Sequence, residues 1–107
     1  MNLWVAIWSI IDYVGIHQEA PNPEIVTVVS LYDWDVGRAL GVAWCESLHK
    51  LTAFNGEDHG LFQINEYWWR DVFGERTWSR RYTADGSASM AHHIWEVGGW
   101  NLWSCGR

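Results

Sequence analysis

The sequence predicts one small, mainly helical α+β domain, and three observations carry that prediction. Its 107 residues fit a single domain, and 49% apolar residues supply enough material for a core. Two stretches, 36–47 and 87–97, repeat apolar residues at helical spacing. Between them, Gly60-Leu61-Phe62-Gln63-Ile64-Asn65 reads as a short strand entered through a glycine turn.

Leu3, Ile7, Ile10, Ile11 and Val14 recur at helical spacing, so residues 2–15 are expected to form an amphipathic helix, with Trp4 and Trp8 beside its stripe. Packing onto the rest of the domain is its first expected role, ahead of a membrane or partner surface. The apolar run from Leu3 to Ile11 falls far short of the ~20 residues that span a bilayer. It has no Lys or Arg before it and no small-residue cleavage pattern after it, so it reads poorly as a signal peptide. Pro21-Asn22-Pro23 breaks the chain. Residues 24–32 are rich in Val and Ile and fit helix or strand by periodicity alone.

Asp35 is placed to cap a helix over Val36–Ser47, with Val36, Ala39, Leu40 and Ala43 inward. Residues 48–59 read as a loop around Gly56, and 60–65 as the strand. Asn65 is placed to cap a helix over Glu66–Phe73 that Gly74 stops. A polar loop is expected over 75–86. Ser87 would start the last helix, with Met90, Ala91, Ile94 and Trp95 inward and Gly98-Gly99 ending it. Trp100, Trp103 and Cys105 would fold back as a tail. The organisation expected is an N-terminal helical segment, 1–33, followed by one compact unit, 34–107.

A net charge of -6 argues against nucleic acid as a partner, because phosphate binding needs a basic surface. The same balance gives no long-range steering toward an anionic cell wall, so wall binding would rest on short-range contacts. The chain has 10 Trp, and roughly seven of them are expected in the core, given the area each buries. A partly exposed Trp suits the apolar face of a sugar. The two cysteines, Cys45 and Cys105, fit one bridge or two reduced thiols, and composition alone favours thiols. His17, His49, His59, His92 and His93 lack metal-ligand spacing, and the adjacent His92 and His93 would point about 100° apart on a helix. No metal or other cofactor is expected. Ser47 lacks the base and orienting partner of a nucleophilic triad.

Glu46 falls in the last turn of its helix. A carboxylate there faces the negative end of the helix dipole beside an apolar stripe, and both effects favour its neutral form. Such a site is poor for stability and good for general acid catalysis near neutral pH. The ordinary alternative is a solvated helix-end glutamate. On an extended strand, Leu61, Gln63 and Asn65 would share one face and Phe62 and Ile64 the other, so that the amides line a cleft while the apolar pair anchors the strand.

Cys45-Glu46-Ser47, followed at short range by Gly60-Leu61-Phe62-Gln63-Ile64-Asn65, resembles the lysozyme-like superfamily, including soluble lytic transglycosylases and resuscitation-promoting-factor catalytic domains. The second string is similar to that superfamily's Gly-aliphatic-x-Gln-Ile-Asn segment. With Gly99-Trp100 to Trp103-Ser104 at the tail, the resemblance covers residues 35–105 and barely touches 1–33. It implies a lysozyme-like fold with a small β-element beside the catalytic helix, and a helix over 24–32. It implies cleavage of the β-1,4 bond between N-acetylmuramic acid and N-acetylglucosamine in peptidoglycan glycan strands, with Glu46 as general acid/base. Ser47, Gln63, Asn65, Tyr67 and Trp68 would bind substrate. Resuscitation-promoting-factor domains pair a cysteine just before the catalytic glutamate with one near the domain's end. The resemblance therefore implies a Cys45–Cys105 disulfide, which closes a loop of about 60 residues and contributes roughly 4 kcal/mol.

Asp58, before His59-Gly60, sits at a spot similar to the second catalytic aspartate of animal-type lysozymes. In those enzymes, on which the two-carboxylate scheme was worked out, one carboxyl protonates the leaving oxygen and the other acts as nucleophile or base. Lytic transglycosylases work with one glutamate, and the sugar's C6 hydroxyl attacks to leave a 1,6-anhydro end. This chain departs from both patterns. The linker from Glu46 to Asp58 is shorter than in animal-type enzymes, and Glu57 competes for any second-carboxylate role. The Gly-Gly that follows Glu-Ser in many bacterial relatives is Leu48-His49, expected to narrow one side of the cleft. The sequence leans toward a transglycosylase with Glu46 acting alone. The alternative is a non-catalytic lysozyme-like module, binding glycan or serving structurally in a virion. The setting implied is extracellular or at the cell wall, as a phage virion protein, a released lysin or part of a larger assembly joined through the N-terminal helix. No transmembrane span is expected.

Overall fold

A computed structural model describes residues 22–107. The helix expected over 2–15, with Trp4 and Trp8, lies outside them. The described residues build a mainly helical unit with one small antiparallel sheet of two strands. In order, these are α1 (Pro23–Val29), α2 (Val36–Ser47), β1 (Asp58–His59), β2 (Ile64–Asn65), α3 (Glu66–Phe73), α4 (Glu75–Trp78) and α5 (Ala84–Gly98). Two 3-10 turns, Gly99–Leu102 and Ser104–Gly106, form the tail.

The segment left open between helix and strand is helical. Pro23 occupies the first turn of α1, where its missing N–H costs nothing, and the Asn22 side chain accepts from the Glu24 N–H at 2.7 Å. Ile25, Val26 and Val29 of α1 enter the same core as α2 and α5, and the Trp34 indole donates to the Val29 carbonyl at 2.8 Å. The packed unit thus begins upstream of the 33/34 boundary, because a helix of seven residues with three buried ones has no core without its neighbours.

Asp35 caps α2, its Oδ1 accepting from the Arg38 N–H at 2.9 Å. The inward stripe of α2 is buried as expected, and Gly37, Gly41 and Val42 are buried too. Asn65 caps α3 through the Trp68 N–H, and Gly74 follows its end. Two expectations downstream are corrected. The stretch 75–86 is not a plain polar loop, since α4 occupies its start and buries Trp78 at 1% exposure. The last helix begins at Ala84 rather than Ser87, because the Thr83 hydroxyl caps it through the Gly86 N–H at 3.0 Å. Ser87 is instead inside, with its Oγ accepting from the Phe62 N–H at 3.3 Å.

The strand expected over 60–65 is corrected most. Only Ile64–Asn65 is extended, paired with β1 in the register Asp58↔Asn65 and His59↔Ile64. Residues 60–63 are the turn of that hairpin, closed by Gln63 N–H donating to the Gly60 carbonyl at 3.1 Å. Gly60 has φ +80, and a Cβ there would overlap the Arg81 carbonyl, so glycine is required by conformation and by space. The turn abolishes strand alternation: Leu61 and Phe62 are both fully buried.

Cys45 and Cys105 are bonded, with Cα atoms 6.0 Å apart, and fasten the end of α2 to the tail. Trp103 backs this link from the core, its indole donating to the Phe62 carbonyl at 2.8 Å. Among the described residues no helix is long and apolar enough to cross a membrane.

Candidate functional site

The end of α2, the hairpin, α3 and the tail meet at one open cleft. The hairpin and α3 contribute Asp58, Gln63, Ile64, Asn65 and Trp69 to its lining, and α2, α5 and the tail contribute Glu46, Ile94, Leu102, Trp103 and Ser104. Glu46 is half-buried there. Its Oε2 accepts the Cys105 backbone N–H at 3.1 Å and lies 3.4 Å from the Ser104 hydroxyl. Its Oε1 has no donor among the described residues.

Asp58 stands on β1 with both carboxylate oxygens held. Oδ1 accepts from Asn65 Nδ2 at 2.9 Å, and Oδ2 from Asn55 Nδ2 at 3.2 Å. Asn55 also accepts the backbone N–H of Glu57 and of Asp58, so the turn before β1 is built around one amide. Glu57 is exposed and outside the cleft. Asn65 faces the cleft with both ends engaged, its Oδ1 capping α3 and its Nδ2 on Asp58. Gln63 takes a left-handed φ of 51, which turns its side chain back. Its Nε2 donates to the Ala53 and Gly60 carbonyls at 3.2 and 3.0 Å, leaving Oε1 without a protein donor among the described residues.

The other expected binding residues lie elsewhere. Ser47 is buried, its hydroxyl hydrogen shared between the Leu61 carbonyl at 2.7 Å and the Ala43 carbonyl at 3.0 Å, so it pins the turn to α2 from inside. Tyr67 and Trp68 are 84% and 67% exposed and do not line the cleft. The aromatics that do are Trp103 from the tail and Trp69, the latter one turn past the Asn65 cap, a spacing visible in the sequence. Ser104 and Leu102 gave no such signal. Leu48 and His49 also lie outside the cleft. Both have left-handed backbones, φ 55 and 58, in the region where glycine fits best. His49 Nε2 donates to the Leu40 carbonyl at 2.9 Å, and its partly buried ring packs edge-on against Trp44. Burial holds that imidazole below its ordinary range. The expected narrowing of the cleft does not occur: His49 reaches back along α2 to Leu40, and exposed Leu48 is not among the lining residues.

Behind the hairpin, His59 is nearly fully buried between Phe54 and Trp78. Arg81 Nε can only donate, and it faces His59 Nδ1 at 3.3 Å, with the Tyr82 hydroxyl on the same nitrogen at 2.6 Å. The ring proton therefore sits on Nε2 and is donated to Glu66 Oε1 at 2.8 Å. This bond, and then the Arg70 guanidinium at 3.0 Å, hold the Glu66 carboxyl below the usual range. The chain of contacts locks β1 to the first turn of α3 and so fixes Asp58 relative to Trp69.

Among the described residues no group of three His, Cys, Asp or Glu side chains is arranged to hold a metal ion. The cleft combines a carboxyl with one unengaged oxygen, a carboxylate set in amides, and indole and aliphatic faces. Such a site can exchange a proton with an ether oxygen while the rings bear on apolar C–H faces. Comparison with protein-family models, curated proteins and solved structures finds no match.

Proposed function

We propose that this protein cleaves the β-1,4 bond between N-acetylmuramic acid and N-acetylglucosamine in peptidoglycan, with Glu46 as general acid and then general base. The observation that carries the reading is the shared cleft of Glu46, Asp58, Gln63, Asn65 and Trp69. The lysozyme-like resemblance of Cys45-Glu46-Ser47 and the Gly60–Asn65 string supplies the substrate. Glu46 donates its proton to the glycosidic oxygen as the C1–O bond breaks. In the one-acid route the regenerated carboxylate takes the proton of the C6 hydroxyl as that oxygen bonds to C1, leaving a 1,6-anhydro end. Gln63 Oε1 is available to a sugar N–H or O–H, and Trp69 offers an aromatic face.

A second route is favoured by one specific observation: Asp58 lines the same cleft as Glu46, with both oxygens fixed by amides. In that route Asp58 serves as nucleophile or base, and water completes a hydrolysis. Glu46→Gln is expected to lower cell-wall cleavage by about 10²–10⁴-fold with folding intact, because the amide keeps the shape but has no acidic proton. A zymogram in which that variant matches wild type removes Glu46 from the mechanism. Mass spectrometry of the digest separates the routes. Anhydromuramic ends with Asp58→Asn active mark the transglycosylase, and reducing ends with Asp58→Asn inactive mark the hydrolase. A wild-type protein that binds cell walls without cleaving them would support the non-catalytic module instead.

A further inference from the structure

The tail residues 103–106 are fastened to the domain at several separate points. Trp103 is buried and its indole donates to the Phe62 carbonyl at 2.8 Å. Cys105 is bonded to Cys45. Arg38 Nη2, from the first turn of α2, donates to the Gly106 carbonyl at 2.7 Å. Gly106 itself is buried so closely against Trp100 that a Cβ would overlap the Trp100 carbonyl. The fasteners arise from separate places: the hairpin turn, the end of α2 and the start of α2.

The segment so held is the one that faces Glu46. The Cys105 N–H and the Ser104 hydroxyl both address Oε2, while Oε1 has no donor among the described residues. Glu46 follows Cys45 directly, so the disulfide joins the acid and its donors at a single point. A carboxyl on the last turn of a helix has several rotamers, and donors on one oxygen select among them.

We propose that residues 103–106 are a positioning element for Glu46: the tail engages Oε2, and Oε1 is the oxygen that exchanges the proton. This rests on the glycosidase reading above. The tail does not touch the reacting bond in this scheme. It acts by holding the acid at a fixed place, so that loosening it lowers the rate of the chemical step and leaves substrate binding unchanged.

The test measures kcat and KM on soluble peptidoglycan fragments for wild type, for the pair Cys45→Ser/Cys105→Ser, and for Arg38→Ala, at a temperature where circular dichroism finds each folded. Loss of one hydrogen bond to a charged group corresponds to about tenfold in rate. The expected result is a fall of that order in kcat for the cysteine pair and a smaller fall for Arg38→Ala, with KM within error of wild type. Should the cysteine pair fail to fold, Arg38→Ala carries the test, since it frees Gly106 without touching the cleft. An active wild type whose folded variants keep kcat, or change only KM, overturns the positioning role alone. A wild type that leaves the fragments intact overturns the glycosidase reading and the positioning role with it.

Discussion

Leu48 and His49 are the residues where this chain spends stability. Two successive non-glycine residues in the left-handed region are uncommon, and each such conformation costs about 1–2 kcal/mol relative to the right-handed form. Leu48 gains little in return, since it is 53% exposed at the C-cap of α2. Leu48→Gly is therefore expected to raise stability by about 0.5–1 kcal/mol, the relief of strain outweighing the extra freedom of the unfolded chain. A thermal melt in which the variant unfolds at or below the wild-type temperature would contradict this. His49 differs, because its ring reaches the Leu40 carbonyl and covers Trp44. At this scale the sequence was legible where a side chain acts on its own helix. Asp35, Asn65 and Gly74 stand where their cap chemistry put them. It was opaque where backbone conformation decides: left-handed Gln63 could not be read from a string that fits a strand, and it redirects the amide assigned to the cleft.

The element that most depends on a distant partner is α2. Its N-terminus is capped by Asp35, but its C-terminus ends in a strained turn and is secured by the Cys45–Cys105 bond. In the chain-entropy model the closed loop of 60 residues contributes about 4 kcal/mol. Reduction by a dithiol is expected to remove a stabilisation of that size, measured as a lower denaturation midpoint in guanidinium. Equal midpoints for oxidised and reduced protein would show that the tail is held without it. Element boundaries were less legible than element identities. Helix α5 starts earlier than Ser87 because Thr83 is the better-placed cap, and α4 went unseen because its single buried residue, Trp78, has no periodic partner. The cleft wall formed by Leu102, Trp103 and Ser104 was illegible for a physical reason: it exists only after the tail crosses to α2, a contact no local pattern encodes.

For the molecule as a whole, the perturbed carboxyls and His49 point one way. Asp33 is held below its usual range by the His92 hydrogen bond, Glu66 by His59 and then Arg70, and Glu75 by Arg70. Each depressed carboxyl binds fewer protons folded than unfolded. Its contribution is present above the ordinary carboxyl range, near 3.8 to 4.5, and is lost as pH falls through the folded value. His49 is also depressed, by burial, so the unfolded chain takes up its proton first and stability begins to fall below pH 6.5. Melting temperature against pH is therefore expected to be level above 7, to slope gently downward below 6.5, and to drop more steeply below about 4.5. His49→Asn keeps an N–H donor and tolerates the left-handed backbone, so it should erase only the first slope. Parallel curves for wild type and His49→Asn between pH 7 and 5 would assign that slope to another group.

A ribosome delivers Cys45 and Glu46 long before Cys105, which lies 60 residues further on. Throughout that interval Glu46 has no Cys105 N–H beside it. The Cys45 thiol meanwhile stands open to any other thiol it meets. The cleft is thus completed only once residues 102–105 have emerged, and a chain released before residue 102 would carry the acid without that part of its lining. Synthesis order keeps the nascent protein from holding a finished cleft until Cys105 has been made.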